Sequence, residues 1–430
     1  MERINWVSGV CGLLMAGACA SEAPHDVPPD TPVTSISDAG TPSGPDISGP
    51  SPDVGPHEDA VVPVPDVEIL PESWPENAEL DNLILQTMSD AHLPGLAACV
   101  TREGLVQWCG GYGAAHVDKG LPVTEHTPFM IASISKTVVA MAAMQLWESH
   151  AFDLMEGISN VTAFEVTNPA FPEKAITFHQ LLTHTSSIRD NWNAMGTFYS
   201  YGADPALSLG DAVASYFSPD GALYNASSNF YAEEPGTVNH YSNMAIALLA
   251  HGLEVVGEEA FDAYCDAEIF EPLGMENTSW RLADFAPDQI AMPYNYSGGA
   301  FVEQGHYTFA DYPDGGLFTS AYDLSRFLNL HASEGMWNEQ AFLEPETVAM
   351  MMTPQVPQLA ANQGLVWRIW TMDDTLWAGH EGAEAGVATL MEYRLSDGLG
   401  VVLLMNGDWP SPSTAIYELV DALKDWGETL

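Results

Sequence analysis

The 430-residue sequence predicts an α+β domain: one antiparallel β-sheet built from both chain ends, flanked by helices, with a mostly helical insertion between them. Three observations predict it. Two β-like runs near residue 100 form a hairpin pattern, and four more β-rich runs lie between residues 365 and 406. The stretch from about 155 to 335 reads instead as helical segments broken by polar loops. A content of 46% apolar and 10% aromatic residues is enough to bury a large core.

Residues 7–18 are an apolar run of the length of a signal-peptide core, too short to span a membrane as a helix. Two processing readings fit the residues at its end. Ala18-Cys19-Ala20 matches a soluble-export cleavage site, whereas Ala16-Gly17-Ala18-Cys19 matches a lipobox that would leave Cys19 lipidated. Either way residues 1–19 are read as an export segment, bound for a bacterial periplasm, the outer membrane or secretion. Residues 20–76 read as a solvated linker, since twelve prolines fall between Pro24 and Pro71 with no periodic apolar face.

The domain is expected over residues 77–430. Ala78–Ala91 places Leu80, Leu83, Ile84 and Met88 on one helical face. Leu96–Thr101 and Leu105–Gly111 form the hairpin around Arg102-Glu103-Gly104, and each carries a cysteine. Cys99 and Cys109 therefore read either as a disulfide or as two buried free thiols. Ser135–Ser149 is small and apolar on most sides, a buried helix. Helical patterns recur at Phe178–Leu182, Leu209–Ser215, Met244–Val256, Asp323–His331 and Thr414–Trp426. The C-terminal β-runs are Leu365–Met372, Thr375–His380, Val387–Arg394 and Leu399–Asn406.

Charge narrows the function. There are 59 acids against 11 Lys and Arg, a formal −48. Residues 20–76 hold twelve acids and no cation, so 77–430 hold 46 acids against ten cations, a net −36. A basic groove for nucleic acid and a polybasic membrane face are both excluded. Contact with a membrane is expected only through a lipid on Cys19. No G-x-S-x-G elbow, phosphate loop, dinucleotide fingerprint, EF-hand loop or H-E-x-x-H pair occurs, and no cofactor is called for.

Three short motifs carry chemistry. Ser133-Ile134-Ser135-Lys136 is S-x-x-K at the mouth of the buried helix, where residues i and i+3 share a face and the amine can meet the hydroxyl. Taken alone it also reads as an N-cap followed by a solvated lysine, but cations are scarce here and nearly everything after Lys136 is apolar. Tyr241-Ser242-Asn243 precedes another apolar helix and could be a simple cap. Gly379-His380-Glu381-Gly382 ends a β-run, where a single histidine is more often structural.

In this order and with these flanks the chain resembles the serine β-lactamase and penicillin-recognising family, in its class C-like branch of β-lactamase-related hydrolases and esterases. That family carries S-x-x-K, Y-x-N and K/H-x-G in sequence. The flanks include Thr177–Ser186, similar to an L-L-T-H-T-S-G-L signature, Glu234-Pro235-Gly236, Ile269–Met275 and Gly315-Gly316-Leu317. The resemblance spans roughly residues 78–428. Two departures stand out: Ser187 replaces the signature's glycine, and Glu381 stands where the family has Ser or Thr.

The resemblance implies a β-lactamase/transpeptidase-like fold and an acyl-enzyme mechanism. Ser133 is the nucleophile, and Lys136 and Tyr241 share the work of activating it. Asn243 orients Lys136 and the substrate. His380 stands near Tyr241 and would make activity sensitive between about pH 5 and 8. The backbone N–H groups of Ser133 and Ala383, the latter just after Gly382, form the oxyanion hole. A net −36 works against an uncharged lysine and an ionised phenol unless the pocket is dry or locally positive. The expected partner is a small ester or amide. Glu381 would repel an acid group, so a carboxylesterase-like activity on neutral substrates is favoured over β-lactam or D-alanyl-D-alanine hydrolysis. A tethered binding protein without activity is the alternative of another class, and the presence of all of Ser133, Lys136, Tyr241 and Asn243 speaks against it.

Overall fold

Alternation along Gly95–Arg102 (β1) puts Leu96, Ala98 and Val100 on one face and Ala97 and Cys99 on the other, and both faces are buried. A strand buried on both sides belongs at the centre of a sheet. The computed structural model describes residues 73–430; the export segment, Cys19 and residues 20–72 of the expected linker lie outside the described residues. Within that range β1 pairs with β2 (Leu105–His116), which pairs with the short β3 (Leu121–Pro122). Four C-terminal strands complete the sheet: β4 (Arg368–Met372), β5 (Thr375–Glu384), β6 (Val387–Arg394) and β7 (Gly400–Met405). The order is β4-β5-β6-β7-β1-β2-β3, antiparallel throughout. The two ends of the chain thus meet at the β1–β7 seam. Cys99 and Cys109 sit opposite one another on β1 and β2 and are joined as a disulfide.

The sheet separates two apolar cores. On one side lies α1 (Ala78–Ala91), capped by Asn77, whose side chain accepts from Leu80 N–H at 3.1 Å. On the other side lie α2 (Ser135–Glu148), α3 (Phe178–Leu182), α4 (Leu209–Phe217), α5 (Asn243–Gly257) and α6 (Ala321–Ala332). The final helix, α7 (Thr414–Gly427), packs beside α1, with Leu419 and Leu423 in the same core as Leu80, Ile84 and Leu403. Every residue from Val138 to Met144 of α2 is fully buried, so this helix is a fixed post at the centre of the larger core. A fixed post is a good place to mount chemistry.

The middle region is less uniformly helical than its sequence suggests. Tyr199–Tyr201 pairs with Tyr307–Phe309, Tyr294–Ser297 with Ala300–Glu303, and Phe129–Met130 with Phe318–Thr319. These runs are two to four residues long, too short to show alternation against the polar loops around them.

Candidate active site

The nucleophile turn is built before the helix begins. Ser133 sits in the 3-10 turn Ala132–Ile134 that leads into α2, and Ala132 adopts φ 47°, a left-handed backbone costing an alanine about 1–2 kcal/mol. Surrounding contacts hold that conformation. Ile131 N–H donates to the Leu317 carbonyl at 2.9 Å, and the Ile131 carbonyl accepts from Thr389 Oγ1 at 2.8 Å. Ser135 Oγ accepts the Leu317 N–H at 3.2 Å. Ser133 itself is half-buried, whereas Lys136, one turn on, is wholly buried. Lys136 Nζ donates to Ser133 Oγ at 2.9 Å and to the Asp314 carbonyl.

Tyr241 approaches from the N-terminus of α5. Its ring centroid is 5.1 Å from Lys136 Nζ and 4.4 Å from the His184 ring, and its hydroxyl is buried without a hydrogen-bond partner. Ser242 is the helix cap, its Oγ accepting from Ala245 N–H at 3.1 Å. Asn243 turns its amide elsewhere than expected: Nδ2 donates to Asp190 Oδ2 at 3.0 Å, and among the described residues no hydrogen bond joins Asn243 to Lys136.

β5 supplies the opposite wall. Its pairing with β4 ends at Gly379, and the segment from His380 to Glu384 continues along β6. A Cβ on Gly382 would lie 2.4 Å from the Ile131 carbonyl and 3.1 Å from Ala132 Cβ, so only glycine lets this strand lie against the nucleophile turn. Trp409 Nε1 donates to the Gly382 carbonyl at 2.8 Å. The peptide is planar, so that bond also fixes the direction of the Ala383 N–H.

His380 and Glu381 depart from expectation. His380 Nδ1 donates to the Glu381 carbonyl at 2.7 Å, leaving Nε2 as a buried acceptor without a partner 6.3 Å, ring to ring, from Tyr241. Burial, then the charges of Lys136 and Arg368, push its pKa down to about 3, so it is neutral throughout the range in which it was expected to titrate. Glu381 Oε1 accepts from Tyr417 of α7 at 2.7 Å. Strand alternation puts Glu381 on the same side as Trp377, facing α7, away from the Ser133 side of the sheet. The expected repulsion of a substrate acid by Glu381 therefore has no basis in its placement.

Several groups around the site were assigned no role from the sequence, although His184 lies within the Thr177–Ser186 signature. His184 packs against Tyr241, accepts Ser242 N–H on Nδ1 at 3.3 Å, and is held neutral by burial, then by Arg368 and Lys136. Burial lowers the Arg368 guanidinium, while Tyr241 and Glu381 nearby favour its charge. The scarcity of cations, 11 in the chain, was the available hint for Arg368. Asp311 and Asp314 flank a 3-10 turn beside Lys136, and burial drives both carboxyls upward, Asp311 to about 7. Glu384 is also raised by burial, and its Oε1 accepts from Tyr199 at 3.2 Å.

A Beta-lactamase family model matches residues 80–424, most of the chain and nearly all of its described part. The chain belongs to the beta-lactamase family. Esterase EstB of Burkholderia gladioli is 29% identical over 222 residues, covering 51% of this chain and 54% of that protein. Protein flp of Staphylococcus aureus (strain NCTC 8325 / PS 47) is 24% identical over 255 residues, covering 58% of this chain and 48% of that one. The beta-lactamase-family chain thus spans about half the length of these curated relatives. The octameric penicillin-binding protein homologue from Pyrococcus abyssi superposes with a TM-score of 0.66 at 25% identity, over 80% of this chain and 77% of that one. The fold is that of the β-lactamases and transpeptidases, and the family points to a serine hydrolase.

Proposed function

We propose that the protein is an exported serine hydrolase that cleaves small esters or amides through a Ser133 acyl-enzyme, with carboxylesterase activity preferred. One observation carries the reading: the 2.9 Å hydrogen bond between Lys136 Nζ and Ser133 Oγ, on a fixed helix and beside the unpartnered hydroxyl of Tyr241. A hydroxyl needs a base in contact to become a nucleophile at neutral pH. In the first half-reaction Ser133 Oγ forms a bond to the substrate carbonyl carbon, and its proton passes into the Lys136–Tyr241 pair. The oxyanion faces the N–H groups of Ser133 and Ala383, a contribution of about 3 kcal/mol per donor. Collapse expels the alkoxide or amine, which takes the proton back through Tyr241. Water then repeats the sequence on the acyl-enzyme and releases the acid.

The preference for esters rests on the likeness to EstB and on the acidic shell that a net −36 over residues 77–430 gives the domain. Arg368 partly offsets that shell, and the likeness to a penicillin-binding protein homologue favours a β-lactamase or D-alanyl peptidase as the second reading. Export, with or without a lipid on Cys19, is proposed from the apolar N-terminal run. The test is intact mass after a fluorophosphonate, with the adduct mapped to Ser133, together with turnover of p-nitrophenyl butyrate and nitrocefin. Ester turnover abolished in Ser133→Ala is expected. Rapid nitrocefin turnover with inert esters would transfer the assignment to the second reading, and an unlabelled Ser133 would remove the hydrolase reading altogether.

A further inference from the structure

Asp190 makes more contacts with the Tyr241-Ser242-Asn243 segment than any role as a surface acid requires. Its Oδ1 accepts Ser242 Oγ at 2.8 Å and Met244 N–H at 3.1 Å. Its Oδ2 accepts Asn243 N–H and Asn243 Nδ2, both at 3.0 Å. Helix capping explains half of the arrangement: Ser242 caps Ala245 N–H, and Asp190 takes the free Asn243 and Met244 N–H groups, but capping leaves its bonds to Ser242 Oγ and Asn243 Nδ2 unexplained. One carboxylate thus binds the three residues after Tyr241, and it holds the Asn243 amide so that its oxygen points away from Asp190.

The loop that carries Asp190 is set against the chain that carries Tyr241. His240 N–H donates to the His184 carbonyl at 2.7 Å, Gly236 N–H to the Thr185 carbonyl at 2.7 Å, Tyr231 N–H to the Ser187 carbonyl at 2.8 Å, and Arg189 N–H to the Asn229 carbonyl at 2.9 Å. Two left-handed residues, His184 at φ 55° and Ser187 at φ 60°, turn the loop so that it can make this ladder. Asn168 Nδ2 donates to Ser187 Oγ at 2.8 Å and to the Tyr231 carbonyl at 2.9 Å, joining the two segments again. Burial raises the Asp190 carboxyl above its ordinary value, while the hydrogen bonds from Asn243, Met244 and Ser242 and the charge of Lys136 favour its ionised form.

We propose that Asp190 is a positioning residue for the hydrolytic reaction: through Ser242, Asn243 and Met244 it fixes the start of α5, and with it the aim of Tyr241 toward Ser133 and Lys136. The proposal rests on the hydrolase reading above. It predicts a loss in the chemical step, since Asp190 works on groups that meet the reacting atoms and is not placed as a substrate contact.

The test measures kcat and KM for p-nitrophenyl butyrate, and the rate of Ser133 phosphonylation, in full-length Asp190→Asn and Asp190→Glu. Asparagine keeps the shape but offers one acceptor oxygen to four donors. Glutamate keeps the charge but displaces it by a methylene. Ser208→Ala, which removes the α4 cap far from the site, controls for lost stability and keeps wild-type kcat. Both Asp190 variants are expected to lose kcat and phosphonylation rate by about a hundredfold with KM within about threefold, at a melting temperature like that of the control. Wild-type kcat in either folded variant, or a loss confined to KM, overturns the proposal. If only one variant folds, its kcat decides. Absence of Ser133 labelling in the wild-type chain is a different failure, because it removes the hydrolase reading first and this proposal with it.

Discussion

A methyl group at residue 382 has nowhere to go. Gly382→Ala would put a carbon 2.3 Å from Thr389 Oγ1 and 2.4 Å from the Ile131 carbonyl, so β5 or the nucleophile turn must move. The expected result is a stability loss of about 1–3 kcal/mol and, through the displaced Ala383 N–H, a drop in kcat of about a hundredfold or more. Urea melts and ester kinetics measure both, and a variant with wild-type kcat would separate Ala383 from the oxyanion hole. His380 leads to a second prediction. With its pKa near 3 it stays neutral above about pH 4, so His380→Asn should lower the pH–rate profile without changing its shape between about pH 5 and 8. Disappearance of a limb in that range would show that His380 titrates there after all. Ser133, Lys136 and Tyr241 are legible in the sequence because helix periodicity and motif order place them. Glu381 is misleading for a physical reason: β5 is apolar on both faces near Trp377 and Ala378, so no polar alternation marks which side a residue takes. Asp190, Arg368 and Asp311 act through loops and strand ends that only the fold brings near Lys136.

Among elements, the long ones and the short helix α3 are readable, and the two-stranded ribbons are not. The periodic apolar faces of α1 and α7 and the β-rich runs of β6 and β7 fall within a residue or two of their sequence patterns. The two-stranded ribbons of the middle region depend on partners more than 15 residues away, or on a turn of Gly298-Gly299, and carry no local period. The β1–β2 hairpin gives the prediction proper to this scale. Cys99 and Cys109 close a short loop with a sequence separation of 10, for which the chain-entropy account gives about 3 kcal/mol of stabilisation. The Cys99→Ala/Cys109→Ala double variant is expected to unfold at lower urea with an unchanged slope. A midpoint equal to that of wild type would mean that the bridge adds nothing to the hairpin's own packing.

At the scale of the whole molecule buried carboxyls and histidines shape the response to pH. Asp311 binds its proton in the folded chain up to about pH 7, against an ordinary value of 3.8, and Asp266 and Asp323 are raised to about 6. Groups raised in this way favour the fold at low pH, and that contribution is lost as pH rises through the folded-state value. Buried His331, at about 4, and His380, at about 3, act in the opposite sense, stabilising above the ordinary histidine value of 6.5 and losing that contribution as pH falls. Between about pH 8 and 6.5 the two sets oppose each other, because His184, His331 and His380 begin to be protonated in the unfolded chain there. The contribution of Asp311 is isolated by substitution: Asp311→Asn removes the cost of ionising a buried carboxyl, so its melting temperature relative to wild type should be highest near about pH 8 and fall toward about pH 6.5. Calorimetry of both proteins across that interval checks it, and a difference independent of pH would contradict the assignment.

The β1–β7 seam bears on how the chain acquires its fold. Leu96 faces Met405 across that seam, more than 300 positions later in the sequence. The strand made early, though buried on both sides in the finished sheet, has β2 alone as a neighbour until nearly everything else has been synthesised. Contacts so remote in sequence are slow to form, because loop closure must precede any gain from pairing. A nascent chain halted before Gly400 would expose an apolar strand edge, so this protein has reason to fold late and as a whole, and to need shielding until its last strand arrives.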